Sequence, residues 1–165
     1  MTIKLIGADD AVSLGGEGGL LLMLFRFQAV ATGNVSEIRV KGHGSGGHAK
    51  VGIYADSGGS PTSLLGYNNN NNATSSGWTT IILNTPVAVT AGTYYWLGIA
   101  TNETDTIGYS SVTGGTLKYK TGWGFANMPD PAGSGFVNAT DYGLIAGWGD
   151  TGAGAVGRSF AYIMG

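Results

Sequence analysis

Between Val51 and Ala100 the chain alternates apolar and polar residues in short runs cut by turn-forming residues, and this pattern confines it to β-structure. Val51, Ile53 and Ala55 alternate with Gly52 and Tyr54, and Ile81 and Leu83 alternate with Thr80 and Ile82. Period two is what a strand with one buried face requires. Asp-Ser-Gly-Gly-Ser-Pro at Asp56 to Pro61 supplies the positive and fixed φ of a tight turn. The block is expected to run strand, turn, strand, strand, turn, strand.

The same reading extends outward. Thr2 to Ile6 is a short first strand, followed by a Gly-rich turn at Gly15 to Gly19. Leu20 to Val30 fits a strand with Phe25, Phe27 and Ala29 on one face; its leucine-rich start also fits a helix, and the flanking glycines favour the strand. After a turn at Gly33-Asn34, Val35 to Gly42 alternates through Ile38 and Val40, and His43 to His48 is expected to form a Gly/Ser hairpin. The asparagine run Asn68 to Asn72 has weak strand preference and is expected to be a mobile loop.

Val87 and Val89 lead to a turn at Ala91-Gly92 and then to the aromatic strand Thr93 to Ala100. Within that strand Tyr95, Leu97 and Ile99 share one face, and Tyr94 and Trp96 the other. Thr106 to Ser111 and Thr116 to Lys120 follow as short strands. Gly122 to Gly157 is thick with Gly, Pro and Asp and reads as loop, with a short strand only at Gly143 to Ala146, before Ser159 to Met164 closes the sheet. No repeat and no linker composition interrupts residues 1–165, so one β-sandwich domain is expected.

Composition limits the partners. With 31 glycines, 42% hydrophobic and 11% charged residues, the chain suits neither a disordered tail nor a helical bundle. The net charge is -2 and the eight Lys and Arg are scattered along the sequence, so no nucleic acid partner is expected. Leu20 to Phe25 is too short to span a bilayer, so no membrane partner is expected either. There is no cysteine for disulfides or thiolate ligation. Carboxylates at Asp9 and Asp10 stand where a signal peptide would need its apolar core. A virion component, or a module of a longer extracellular protein, is expected.

The text V-G-I-Y-A-D-S-G-G-S-P-T-S-L-L at Val51 to Leu65, G-W-T-T-I-I-L at Gly77 to Leu83 and V-A-V-T-A-G-T-Y-Y-W-L-G-I at Val87 to Ile99 resembles a jelly-roll β-sandwich module of modular bacterial, archaeal and phage proteins. Met128 to Gly133 and Phe160 to Ile163 match less closely. The resemblance implies an all-β, antiparallel sandwich with long Gly-rich loops. It further implies a non-catalytic role similar to that of carbohydrate-binding modules.

Two tryptophans stand between glycines, as Gly122-Trp123-Gly124 and Gly147-Trp148-Gly149. A loop indole without bulky neighbours can offer its flat face to the C–H face of a sugar, or it can fold back to plug one end of the sandwich. Tyr109, Tyr119 and Tyr142 could extend such a platform, or be half-buried strand aromatics. Trp78 and Trp96 are expected to pack within the scaffold.

Other chemistry is sparse. His43 and His48 lack a third metal ligand nearby in sequence and are read as exposed hairpin residues, and neither belongs to a nucleophile motif. Glycoside hydrolysis needs two acids facing one cleft, and the acids here lie mostly in turns and are read as turn formers. No catalytic residue, metal ligand or cofactor is assigned. Asp9-Asp10, or Asp130 with Asp141, could share a structural Ca²⁺, although no EF-hand-like spacing is present. Four Asn-X-Ser/Thr matches, at Asn34, Asn72, Asn102 and Asn138, are read as Asn/Thr-rich turns.

The expected function is therefore non-catalytic binding of a polysaccharide or cell-surface glycan through Trp123, Trp148, Tyr109, Tyr119 and Tyr142. The alternative is a structural virion or cell-surface module, such as a phage decoration or fibre component, whose apolar surface is a homo-oligomer interface.

Overall fold

The computed structural model describes residues 1–9, 15–17, 19–44, 47–103, 107–110, 116–140 and 142–151, with the backbone alone at 15–17, 109–110 and 142. These residues form strands and no helix. In chain order the strands are β1 (Ile3–Gly7), β2 (Gly15–Glu17), β3 (Leu21–Gln28), β4 (Gly33–Lys41), β5 (His48–Ser57), β6 (Ser60–Ala73) and β7 (Trp78–Val89). They continue with β8 (Tyr94–Thr101), β9 (Ile107–Ser110), β10 (Leu117–Lys120), β11 (Val137–Ala139), β12 (Tyr142–Gly143) and β13 (Ile145–Asp150).

Two antiparallel sheets make an all-β sandwich, one ordered β1-β13-β4-β7 and the other β11-β10-β3-β8-β5-β6. A small third sheet is ordered β12-β9-β2. The alternating runs explain the layering. Met23, Phe25, Val51, Ile53, Leu97 and Ile99 project from the six-stranded sheet into one core with Leu5, Val35, Ile38, Val40, Ile81 and Ile145 of the four-stranded one. Fully burying one such side chain stabilises by about 1.5 to 3 kcal/mol.

Outside the asparagine run, the block between Val51 and Ala100 folds as its pattern predicts, giving β5 to β8. Gly58 and Gly59, with φ of 57° and 81°, form the two-residue turn between β5 and β6. Positive φ at both central positions matches the twist of a tight hairpin. The expected faces of β8 also hold: Tyr95, Leu97 and Ile99 enter the inter-sheet core, while Trp96 packs in a second cluster on the other side.

Four expectations are corrected. His43 and His48 do not flank a hairpin, because β4 and β5, the strands on either side, belong to different sheets; both histidines are exposed. Asn68 to Asn72 is not a loop but part of β6. Opposite it, Ala49 pairs with Asn72 and Val51 with Asn68, so a longer stretch of β6 bulges against β5. The amides replace the interrupted ladder: Asn68 Nδ2 donates to Ile82 O at 2.7 Å, Asn70 N donates to Asn68 Oδ1 at 2.8 Å, and Asn72 Nδ2 donates to Ala49 O at 3.0 Å.

Trp148 lies on β13, not in a loop, and the strand runs to Asp150 instead of ending at Ala146. Trp78 is not packed in the scaffold; it is 39% exposed on the edge strand β7. The closing strand expected at Ser159 to Met164, along with Asp10 and Asp141, lies outside the described residues.

Candidate functional site

The face of the six-stranded sheet turned away from the inter-sheet core carries most of the molecule's chemistry. Because side chains alternate along each strand, Leu22, Leu24 and Arg26 of β3, Trp96 and Ala100 of β8, Lys50, Tyr54 and Asp56 of β5, and Lys118 and Lys120 of β10 share that outer face. Leu22, Leu24, Tyr54, Trp96 and Ala100 are apolar enough to need a cover. Residues 121–136, between β10 and β11, provide it.

This segment crosses the sheet and returns. Trp123 N donates to Leu20 O at 2.9 Å, Met128 N to Asn69 Oδ1 at 2.8 Å, and Ala132 N to Thr62 O at 3.0 Å. From the sheet, Leu64 N donates to Asp130 Oδ1 at 3.0 Å. Met128 and Ala132 are buried in the cluster, and Trp123, Phe125 and Phe136 pack against its rim. Gly98 makes room: a Cβ there would stand 2.7 Å from Met128 Cε and 2.8 Å from Leu24 Cδ2.

At the uncovered end of the face is a polar cluster. Arg26 Nε and Nη2 donate to the two oxygens of Asp56 at 2.8 and 2.9 Å, and the indole Nε1 of the fully buried Trp96 donates to Asp56 Oδ1 at 2.7 Å. The Arg26 guanidinium lies 3.9 Å from the centroid of the Tyr94 ring, which is 41% exposed. The hydrogen bonds from Arg26, then those from Trp96 and the Gly59 N–H, hold the Asp56 carboxyl below its ordinary range against the opposing effect of burial. Asp56 reciprocally raises Arg26. A carboxylate so fully engaged positions a guanidinium and has little basicity left for proton transfer.

Tyr54, beneath Met128, is fully buried and its hydroxyl has no hydrogen-bond partner. Burial, and secondarily the charge of Asp130, pushes its ionisation upward.

Of the five aromatics expected to form a platform, the three with described side chains, Trp123, Tyr119 and Trp148, stand on different faces. Trp123 is half-buried over the outer cluster, its Nε1 donating to Ala126 O at 3.3 Å. Tyr119 packs on the opposite side of the same sheet, against the inter-sheet core. Trp148 belongs to the other sheet, where the Arg39 guanidinium covers its ring at 4.0 Å and Glu37 accepts from Arg39. Tyr109 and Tyr142 lie on the third sheet, on neighbouring strands, and only their backbone is described. The Arg26–Asp56–Tyr94 cluster escaped the sequence reading because its strands, β3, β8 and β5, are adjacent in the sheet but far apart along the chain.

Among the described residues, no group of three or more His, Asp or Glu is placed to hold a metal ion. Of those same residues, no helix is long and apolar enough to cross a membrane. No curated protein matches the chain. A family model described as a domain of unknown function (DUF4082) matches residues 23–122, a span that holds Arg26, Lys50, Asp56, Tyr94, Trp96, Lys118 and Lys120 and stops just before Trp123. That span is more than half of the chain, and the protein with this aromatic and basic sheet face belongs to the DUF4082 family.

Proposed function

We propose that this domain is a non-catalytic carbohydrate-binding module whose ligand lies on the outer face of the six-stranded sheet, beside the covering segment. The observation that carries this reading is the exposed Tyr94 ring, stacked with Arg26 and fixed on a central strand by the Arg26–Asp56–Trp96 hydrogen bonds. An aromatic ring accepts the apolar face of a sugar, and neighbouring amide and guanidinium groups accept or supply hydrogen bonds to its hydroxyls. Gln28 pairs with Tyr94 across the strands and lies within the same row. Trp123 remains a flanking contact at the other end of the face. The engaged state of Asp56 supports binding over hydrolysis.

Affinity electrophoresis against a panel of soluble polysaccharides tests this. Retardation by at least one polysaccharide, lost in Tyr94→Ala and retained in Trp148→Ala, supports the reading. No retardation by any of them, or retardation that Tyr94→Ala leaves intact, overturns it.

A second reading, an assembly module of a virion or cell surface, is favoured by a different observation. Leu65 and Tyr67 on β6 and Trp78 and Ile82 on β7 are exposed, and both strands are sheet edges. Exposed apolar side chains on edge strands favour association with other chains. Sedimentation separates the two readings: a stable oligomer dispersed by Ile82→Lys supports assembly, and a monomer at all concentrations excludes it.

A further inference from the structure

Four of the chain's eight Lys and Arg, namely Arg26, Lys50, Lys118 and Lys120, stand on the outer face of the six-stranded sheet. Each lies over an aromatic ring: Arg26 over Tyr94 at 3.9 Å, Lys50 over Phe125 at 4.6 Å, Lys120 over Trp123 at 5.6 Å and Lys118 over Trp96 at 5.9 Å. Among the described residues, Arg26 alone of the four has a carboxylate partner. The three lysines bond instead to neutral oxygens, Lys50 to Phe125 O and Asn127 Oδ1, Lys118 to Asn138 Oδ1 and Lys120 to Ser134 O.

This difference matters chemically. A carboxylate partner positions a cation and cancels its charge, whereas a ring face or a carbonyl positions it and leaves the charge in place. Among the described residues of this face and its covering segment, four cations meet the two carboxylates of Asp56 and Asp130, in a chain whose net charge is -2. Lys50, only 8% exposed, adds its field from below, and Lys118 and Lys120, two residues apart on β10, present theirs nearer the surface at a spacing of about 7 Å.

We infer that the ligand of this face is an anionic polysaccharide, one carrying carboxylate or sulfate groups, whose charges pair with Lys118 and Lys120 while its rings contact the exposed Tyr94 and the half-buried Trp123. The inference rests on the carbohydrate-binding reading and narrows it. A long nucleic acid phosphate backbone is the less favoured anion, since the molecule as a whole is acidic.

The test uses matched polymers: polygalacturonate against its methyl-esterified form, and dextran sulfate against dextran. Tighter binding of the charged member of a pair is expected, weakening as salt is raised. Lys118→Gln with Lys120→Gln keeps the packing stems, and is expected to weaken binding of the charged polymer by about two- to thirty-fold, the range that two part-exposed ion pairs give. Binding of the neutral member should stay unchanged, with an unchanged denaturation midpoint showing that the fold is intact. Equal binding of both members, or a charged polymer insensitive to salt and to the double variant, overturns the anionic ligand and leaves the carbohydrate-binding reading standing. Binding of neither member of any pair overturns both. Single-stranded DNA competing as well as polygalacturonate overturns the inference by showing selection of charge alone.

Discussion

Arg26 and Asp56 face each other across the full width of β8, joined by two hydrogen bonds of 2.8 and 2.9 Å that tie β3 to β5 over the strand between them. The pair is partly shielded, with side-chain exposures of 24% and 10%. Asp56→Asn removes the charge but keeps the shape, and is expected to cost about 1 to 3 kcal/mol in urea denaturation. Since the native carboxyl is held below its ordinary value, its contribution is complete above the unfolded value and is lost as pH falls through the folded one. The stability gap between wild type and Asp56→Asn should be constant above about pH 5 and close below about pH 4. A gap that instead widens on acidification contradicts the assignment.

Tyr54 points to the opposite kind of outcome. Its hydroxyl is buried under Met128 without a partner, and an unpaired buried hydroxyl costs free energy that its removal recovers. Tyr54→Phe is expected to be neutral or to stabilise by up to about 1 kcal/mol. The phenol is also held from ionising, so the alkaline absorbance titration below about pH 11 should be the same in both proteins. A loss of stability in the variant would mean that the hydroxyl has found an acceptor.

The asparagine run separates residues that look identical in sequence. Asn68 is buried and joins Ile82 O, Asn70 N and the Asn72 amide, holding the β6 bulge to the edge of β7. Asn71 is exposed on the same strand. Asn68→Ala is expected to cost about 1 to 3 kcal/mol, because it removes a buried amide that bonds to Ile82 O, Asn70 N and Asn72 at once, and Asn71→Ala less than about 0.5 kcal/mol. Hydrogen exchange at Asn70 should quicken in the first variant only.

What could be read from the sequence follows from the range of the forces involved. Alternation in β3, β5, β7 and β8 is local, and it placed Trp96 and the paired faces of β8 correctly. The glycines around Trp148 misled because they mark crowding, not a loop: a Cβ on Gly147 would come within 2.8 Å of Ile6 Cγ2 and 2.9 Å of Val35 Cγ1. For Asn68 to Asn72, weak strand preference was outweighed by side-chain amides that replace backbone bonds. Whether Tyr119 and Trp123 share a side was undetermined, since the chain leaves the sheet at Lys120 and only the tertiary fold decides which face residues 121–136 cover. The Arg26–Asp56 pair, like the lysine row, depends on a strand order that departs from chain order.

Gly98 and Met128 should behave as a coupled pair. The space that Gly98 leaves on β8 is filled by Met128 Cε from the covering segment, with Leu24 Cδ2 and Tyr54 Cε2 closing the same gap at 2.8 and 3.1 Å from a Cβ at that position. Three neighbours converge, so no single one can yield without displacing another. Gly98→Ala is expected to destabilise by about 1 to 3 kcal/mol through overpacking, and Met128→Ala by about 2 to 5 kcal/mol through the cavity it leaves. In the double variant the added methyl enters space that the shortened side chain has vacated, so the combined loss should fall short of the sum by about 1 kcal/mol or more. Strict additivity in denaturation midpoints would show that residues 121–136 are not held down through this contact.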